Sequence, residues 1–447
     1  MRELPEGWAI CKLGDYIKLK NGFAFKSQDY IEKKSDTFPV IRISDIDGQY
    51  ASDLNAVHIS KNQVVEGFEV ESGDLLIAMS GATTGKIGVY IGVSIAYQNQ
   101  RVGNLRLISE ADGCSSFRNH LISRLSGKIL EDAYGGAQPN ISGKAIEDLE
   151  IPLPPLNEQK RIADRLDQLL TRIDKTKAHL DRIPPLLKRF RQSVLAAATS
   201  GKLTEDWREE RSLGFDWDET DIQSVAKVGT GSTPLKSNSS FYTENGIPWV
   251  TSAATGYTYV TSAFEFVTEA AIIEHRLKIY PIGTLLVAMY GEGKIRGQVS
   301  ELSIEATINQ ACAAITANEL LAARNYIKLA LQSNYFKMRE MAEGGNQPNL
   351  NLSKIKEFPI LLPTLEEQQE IVRRVEALFV KADRIEAQYK NARQQVDRLT
   401  PALLAKAFRG ELVPQDPNDE PASVLLERVK EARSIAQPAK AKRKAVK

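Results

Sequence analysis

Cysteine and histidine are scarce, with three cysteines and four histidines in 447 residues. Cys11, Cys114 and Cys312 are far apart, and so are His58, His120, His179 and His275. This spacing excludes a disulfide framework and a structural zinc site, so no metal centre is expected. No apolar run approaches the roughly 20 residues of a membrane-spanning helix. The opening Met1-Arg2-Glu3-Leu4-Pro5-Glu6-Gly7-Trp8 has no apolar stretch of the kind a secretory signal carries. A reduced, cytoplasmic chain with no membrane contact is the expectation. Charge of one sign is lacking too: 58 basic residues meet 57 acidic ones, for a net charge of +1. That excludes a histone-like binder held to nucleic acid by bulk charge. Hydrophobic residues at 42% are ordinary for a globular protein, and the length calls for about two to four domains.

Catalytic motifs are missing as well. Gly81-Ala82-Thr83-Thr84-Gly85-Lys86 falls one residue short of a phosphate-binding P-loop, and Ile87 replaces the hydroxyl residue that would hold magnesium. Pro152-Leu153-Pro154-Pro155-Leu156 lacks the preceding acid or amide and the following aromatic of an amino-methyltransferase tetrapeptide. Glu32-Lys33-Lys34 matches the tail of a nuclease E-x-K pattern without a convincing upstream aspartate. No Ser/His/Asp set is recognisable. The sequence gives no support for catalysis by this chain alone.

What the chain does contain is itself, twice. Gly135-Gly136-Ala137-Gln138-Pro139-Asn140 returns as Gly344-Gly345-Asn346-Gln347-Pro348-Asn349, an offset of 209. The same offset pairs Leu153-Pro154 with Leu362-Pro363, Glu158-Gln159 with Glu367-Gln368, and Gly201 with Gly410. Over residues 135–203 it gives 23 identities in 69 positions without a gap. Upstream the match is fainter. Trp8 pairs with Trp217, Gly22 with Gly231 and Pro39 with Pro248, while Gly73–Met79 pairs with Gly283–Met289 at an offset of 210. Internal repetition on this scale organises the whole chain. Each copy is a divergent domain followed by a better-matched segment. Net charge alternates with it: −4 over 1–150, +3 over 151–210, −2 over 211–358 and +4 over 359–447.

The well-matched segments read as long helices, each entered from a proline brake at Ile151-Pro152-Leu153-Pro154-Pro155 or Ile360-Leu361-Leu362-Pro363. Asn157 and Thr364 are candidate caps, with glutamates in the first turn. Ile162, Leu166, Leu169, Ile173, Thr176, Leu180, Ile183, Leu187, Phe190 and Val194 are spaced 4-3-4-3, a coiled-coil seam. The second copy repeats it as Ile371, Val375, Leu378, Ala382, Ile385, Tyr389, Ala392, Val396, Leu399 and Leu403. Pro184-Pro185 and Pro401 predict a kink or break. If the two seams pair, connectivity makes them antiparallel and relates the copies by a pseudo-two-fold axis. The alternative is two amphipathic helices that cover separate cores.

The divergent domains read as mixed α/β. Pro39–Ile43, Asp74–Met79 and Val102–Leu107 suit strands, and Ser116–Leu125 and Asn325–Met341 suit helices. The expected fold class is α+β: two mixed α/β domains separated by two long helices forming an antiparallel coiled coil, a pseudo-two-fold tandem repeat. The boundaries are 1–150 for the first domain, 151–210 for the central helical spacer and 211–358 for the second domain. The C-terminal helical spacer covers 359–415, and 416–447, ending Lys440-Ala441-Lys442-Arg443-Lys444, is read as a flexible basic tail.

Two related domains held a fixed distance apart can each read something different along one axis. DNA, repeating about every 34 Å, suits such a device. Glycine-rich loops would carry polar side chains towards base edges in the major groove, although Gly, Asn and Gln also simply build turns. The chain resembles the specificity subunits of type I restriction–modification systems, and the resemblance covers nearly its whole length. It is carried by Leu4-Pro5-Glu6-Gly7-Trp8, Ile151–Gln159, Leu187–Leu195, Gly201-Lys202-Leu203-Thr204 and Leu404–Leu412. It implies a non-catalytic subunit that reads a bipartite asymmetric DNA target through two target-recognition domains. It also implies partners: two modification subunits, which use S-adenosylmethionine to methylate adenine, and two restriction subunits, which use ATP and magnesium. The rival readings are a self-contained DNA-modifying enzyme and a protein-interaction scaffold with no DNA role.

For the first half-site the candidate DNA contacts are Lys20, Asn21, Ser80, Thr83, Thr84, Lys86 and Gln100. For the second they are Thr230, Ser232, Tyr290, Glu292, Lys294, Arg296 and Gln310. Both recognition domains are net acidic, so much of the clamp on DNA is expected from partner subunits. The basic helices would offer two equivalent docking sites, with Ile162, Leu166, Leu169, Ile173, Ile371, Val375, Leu378 and Ile385 as the residues that form the pair.

Overall fold

The structure, a computed structural model, describes residues 4–81, 83–133, 141–291, 294–343 and 350–435. Glu292, both Gly-Gly-x-Gln-Pro-Asn repeats and the basic end after Ile435 lie outside the described residues. By internal contacts the chain forms two units, Met1–Leu180 with Ala392–Lys447, and Asp181–Asn391. Each unit therefore joins one globular domain to part of both spacer helices.

In the first unit a five-stranded sheet runs in the order Ile17–Asn21, Val102–Leu107, Leu75–Ala78, Ile87–Tyr90, Tyr50–Ala51. In the second unit the order is Ala226–Thr230, Cys312–Ala317, Leu285–Ala288, Val299–Leu302, Tyr259–Val260. The two sheets have the same topology, antiparallel except for one parallel edge pair in each. The central strands Leu75–Ala78 and Leu285–Ala288 are buried throughout, which is why they read as continuous apolar runs.

A second, four-stranded sheet accompanies each, and here the copies differ. Its shared trio is Val57–Ser60, Thr37–Ile41, Ala96–Gln98 in the first domain and Glu265–Val267, Ile247–Val250, Thr307–Ile308 in the second. The fourth strand lies at opposite edges: Glu69–Val70 beside Ala96–Gln98, but Tyr242–Thr243 beside Glu265–Val267. Each domain is closed by a two-stranded ribbon, Ala9–Lys12 with Glu150–Leu153 and Asp218–Asp221 with Pro359–Leu362. The chain thus enters and leaves a domain side by side.

The spacer helices start where that ribbon ends. The C-terminal one, Leu365–Ala407, is one continuous helix that contains Pro401 without a break. The central one is broken into Leu156–Leu180 and Ile183–Thr199, with Pro184-Pro185 in the first turn of the second piece. Proline is tolerated there because the first-turn N–H groups have no helical partner to lose. Thr364 caps its helix through the Glu367 N–H, as expected. Asn157 does not cap: the first helix begins at Leu156, with Pro155 accepting from the Gln159 N–H. Gly201 and Gly410 end the two spacers with φ of 78° and 71°, a left-handed conformation that favours glycine.

Helix pairing is antiparallel in both units. In the first, Ile162 and Leu166 share a core with Leu404, Ala407 and Phe408, while Lys177 pairs with Asp397 further along. In the second, Val194 and Ala198 share a core with Ile371 and Val375, while Arg191 reaches Asp383 and Glu386. The seam is not continuous, however. Ile162, Leu166, Ile173, Leu187, Val194, Ile371, Val375 and Ala382 are buried, Leu169 and Leu378 half-buried. Thr176 is exposed, and Phe190, Ile385 and Leu399 are 39%, 46% and 45% exposed. Ile162, Leu166, Val194, Ile371 and Val375 belong to cores shared with a globular domain, whereas Ile173, Leu187 and Ala382 are buried outside those cores. Ile385, expected inside the seam, belongs to neither group.

The flexible tail expected from Asp416 is instead folded over its described part. Ala422–Ile435 is a helix whose Leu425 and Leu426 join the first domain's core. Arg428 binds Asp112 at 2.8 Å, Arg433 donates to the Gly14 carbonyl, and Arg161 pairs with Asp419. The basic composition at the end of the chain hid an amphipathic helix before it.

Candidate nucleic-acid interface

Each domain is seated on its spacer helix by one repeated joint. The Trp8 indole donates to Glu158 at 2.9 Å, and the Trp217 indole donates to Glu367 at 3.0 Å. The adjacent glutamines turn back to the proline brakes, Gln159 to the Pro154 carbonyl and Gln368 to the Pro363 carbonyl. Gln159 also accepts from the Tyr16 hydroxyl, and Gln368 from the Ala323 N–H. All four helix side chains are buried. The sequence marked them by identity between copies and by first-turn position, but not by this role. Burial pushes the Glu158 carboxyl up, opposed by its hydrogen bonds from Gln415 and Trp8.

The far ends of the five-stranded sheets gather the loops. In the first domain Asn21 stands opposite Gly103, and Val102 opposite Ala78, so the strand ends are level. Gly22 sits so close to Asn99 that a Cβ would come within 2.1 Å of the Asn99 carbonyl oxygen. Gly231 repeats this against Ile308. Those contacts explain why the glycine is kept in both copies: any side chain there would push the two loops apart. The Gln98 amide donates to the Lys20 carbonyl, and the Met79 N–H to the Arg101 carbonyl. Segments 20–23, 79–81, 83–86 and 98–101 therefore form one rim.

On that rim Asn21, Lys86 and Gln100 are exposed, and Ser80 is half-buried. The other candidates serve the loops themselves. Lys20 binds the Gly67 carbonyl and lies over the Phe68 ring. Thr83 donates to the Ile43 carbonyl, and buried Thr84 to the Gly81 carbonyl. Arg101, exposed beside Gln100, was not singled out from the sequence, and its counterpart in the second copy is Ala311.

The second rim has the same plan. Tyr290 and Gln310 are exposed, Ser232 is half-buried, and Thr233 hydrogen-bonds Gln310. Thr230 is exposed but gives its hydroxyl to the Cys312 carbonyl. Lys294 is exposed, while Arg296 is half-buried with its Nε unpartnered among the described residues. Their loop is tied to the helix Tyr335–Glu343: Tyr335 donates to the Lys294 carbonyl and Arg339 to the Arg296 carbonyl. A level rim of amide, hydroxyl and ammonium groups on a rigid sheet can address base edges and phosphates. Among the described residues no cluster of three or more His, Cys, Asp or Glu side chains is placed to hold a metal. No described helix is long and apolar enough to cross a membrane.

Comparison with known proteins places this architecture. Residues 5–184 and 215–392 match the family model of the type I restriction modification DNA specificity domain. The chain is 30% identical over 480 residues to the type I restriction enzyme StySPI specificity subunit of Salmonella potsdam, covering 99% of each chain. It is 31% identical over 478 residues to the EcoKI specificity subunit of Escherichia coli K12, again over 99% of each. Among solved structures, a chain from the complex assembly and conformational transition of the type I R-M system matches with a TM-score of 0.73, at 19% identity, over 92% of this chain and 100% of that one. The HsdS subunit from Thermoanaerobacter tengcongensis matches with a TM-score of 0.60, at 18% identity, over 92% and 98%. With two domains whose five-stranded sheets share one topology, each seated on a spacer helix and each ending in a polar rim, the chain belongs to the type I restriction–modification specificity family, the non-catalytic DNA-recognition subunits of those enzymes.

Proposed function

We propose that each domain reads one half of a bipartite, asymmetric DNA target through its rim. The observation that carries this is the repeated geometry of the rims with diverged residues on them. Gly22 and Gly231 make the same close approach, yet Arg101 faces one rim where Ala311 stands on the other. One scaffold with two different sets of side chains reads two different half-sites. The exposed groups Asn21, Lys86, Gln100, Tyr290, Lys294 and Gln310 are the first candidates for direct contact. Sequencing of modified DNA after co-expression with the cognate modification subunit tests the reading. An interrupted, asymmetric methylated sequence supports it; a single contiguous site, or methyl transfer by the purified chain alone, overturns it.

The spacer helices are the docking sites for two modification subunits, and two restriction subunits complete the assembly in the cytoplasm. Leu186, Phe190, Val380 and Ile385 support this, being large apolar side chains exposed on the helices. S-adenosylmethionine, ATP and magnesium belong to those partners.

A further inference from the structure

A cleft of about 830 Å³ opens in the second unit between the second piece of the central spacer helix and the second domain. Lys188, Gln192 and Leu195 form its helix wall; Lys294, Gln298, Gln332 and Arg339 bring polar groups from the domain side. Its cations come from three separate elements, and no carboxylate lines it among the described residues. Neither Lys188 nor Lys294 is ion-paired among the described residues. Both walls are held in place. Tyr335 and Arg339 strap the Lys294–Arg296 loop to its helix, and the Thr199 hydroxyl meets that of Ser333 at 3.0 Å, which fixes the spacer helix to the domain.

The three cationic positions are not repeated in the first copy. At the corresponding offsets of 209 and 210, Lys188, Lys294 and Arg339 become Asp397, Thr84 and Leu130. Asp397 is already engaged with Lys177 and Arg393. The three cations of the cleft are therefore not a product of the duplication but belong to the second half.

We propose that this cleft grips the DNA phosphate backbone beside the half-site read by the second domain, with Lys188 bringing the spacer helix itself into contact with DNA. The occupant is a phosphodiester strand because the cleft adjoins the loop that carries Lys294 on the second rim, and a strand leaving the rim meets Lys188 and Arg339 next. Three cations and three amides suit successive phosphates, whereas an acidic protein segment would not be delivered there by the rim. The role of the spacer helix is therefore electrostatic as well as spacing, and it is lopsided between the two half-sites.

The proposal rests on the second rim meeting DNA, and the test separates the two. Binding of the assembled methyltransferase complex to its cognate duplex is measured across a salt series for wild type, Lys188→Ala, and Gln310→Ala. A phosphate contact predicts that Lys188→Ala weakens cognate and non-cognate binding alike, several-fold near physiological salt. It also lowers the slope of log K against log salt by about one. Phosphate-ethylation interference should lose its signal on the flank of the second half-site. An unchanged slope, or loss of subunit assembly in Lys188→Ala, overturns the proposal, the latter by showing a protein partner in the cleft. If instead Gln310→Ala leaves base preference intact while the Lys188→Ala slope falls, the cleft stands and Gln310 leaves the rim's reading set.

Discussion

The joints at Trp8–Glu158 and Trp217–Glu367 were built from one ancestral sequence, and they differ in what else reaches the carboxylate. Glu158 takes neutral donors, the Trp8 indole and the Gln415 amide. Glu367 takes the Trp217 indole, the Thr204 hydroxyl and the guanidinium of Arg208, whose side chain is 9% exposed. The geometry that seats a domain on its helix has been kept, while the electrostatics around it has drifted. What duplication preserved is position. What it released is the chemistry of the surroundings, as on the rims.

That difference can be broken by substitution. Glu367→Gln keeps the shape of the joint but strands a buried Arg208, at a cost of about 3–5 kcal/mol. Glu158→Gln replaces an acceptor facing neutral donors and should cost about 1 kcal/mol or less. Urea unfolding of both variants measures the pair, and equal losses would show that the joints are energetically the same.

The seam sharpens the same contrast between what is held and what is free. Leu166 is fully buried in the first domain's core, so Leu166→Asp should destabilise by about 3–5 kcal/mol, seen as an early thermal transition. Ile385 is 46% exposed, so Ile385→Asp should change stability by no more than about 0.5 kcal/mol. It should still weaken co-purification with the modification subunit. A folded Ile385→Asp chain that assembles normally would remove that residue from the docking surface.

The smallest expected effects lie in pH. Burial raises the Glu158 carboxyl above its ordinary 4.5, so the folded chain keeps that proton where the unfolded chain has lost it. Its contribution is complete below 4.5 and is lost as pH rises through the raised value. Glu370 behaves oppositely: Arg373 and Arg374 hold it at about 2, so its contribution is present above 4.5 and is lost as pH falls towards 2. Stability against pH for Glu158→Gln and Glu370→Gln should therefore differ from wild type on opposite sides of 4.5.

The duplication, the strands at Leu75–Ala78 and Val102–Leu107, and the antiparallel helices were legible because apolar periodicity and repeated identity report packing directly. The seam was over-read at Phe190, Ile385 and Leu399, while Ile173, Leu187 and Ala382 inside it are buried as expected. The 4-3-4-3 spacing continues through Ile385 and Leu399, but spacing reports which residues share a helix face, not whether anything covers it. The helix at Ala422–Ile435 was hidden by the run of lysines after it, although Leu425, Leu426 and Val429 are spaced for one buried face. Site residues were the least legible. Thr83, Thr84 and Lys20 have the right chemistry for DNA, and the fold uses them to brace loops. Side-chain type does not distinguish a group that satisfies its own backbone from one that is free to reach a base.

The account stands on each rim reading its own half of the target. Methylated sites should be mapped across a genome for complexes carrying Gln100→Ala and, separately, Gln310→Ala. Loss of a base contact should relax one position by about 1–3 kcal/mol. The prediction is that Gln100→Ala relaxes a base in one half-site only and Gln310→Ala a base in the other, with the intervening spacer length unchanged. Relaxation of the same half-site by both variants, or of both halves by either one, would contradict it.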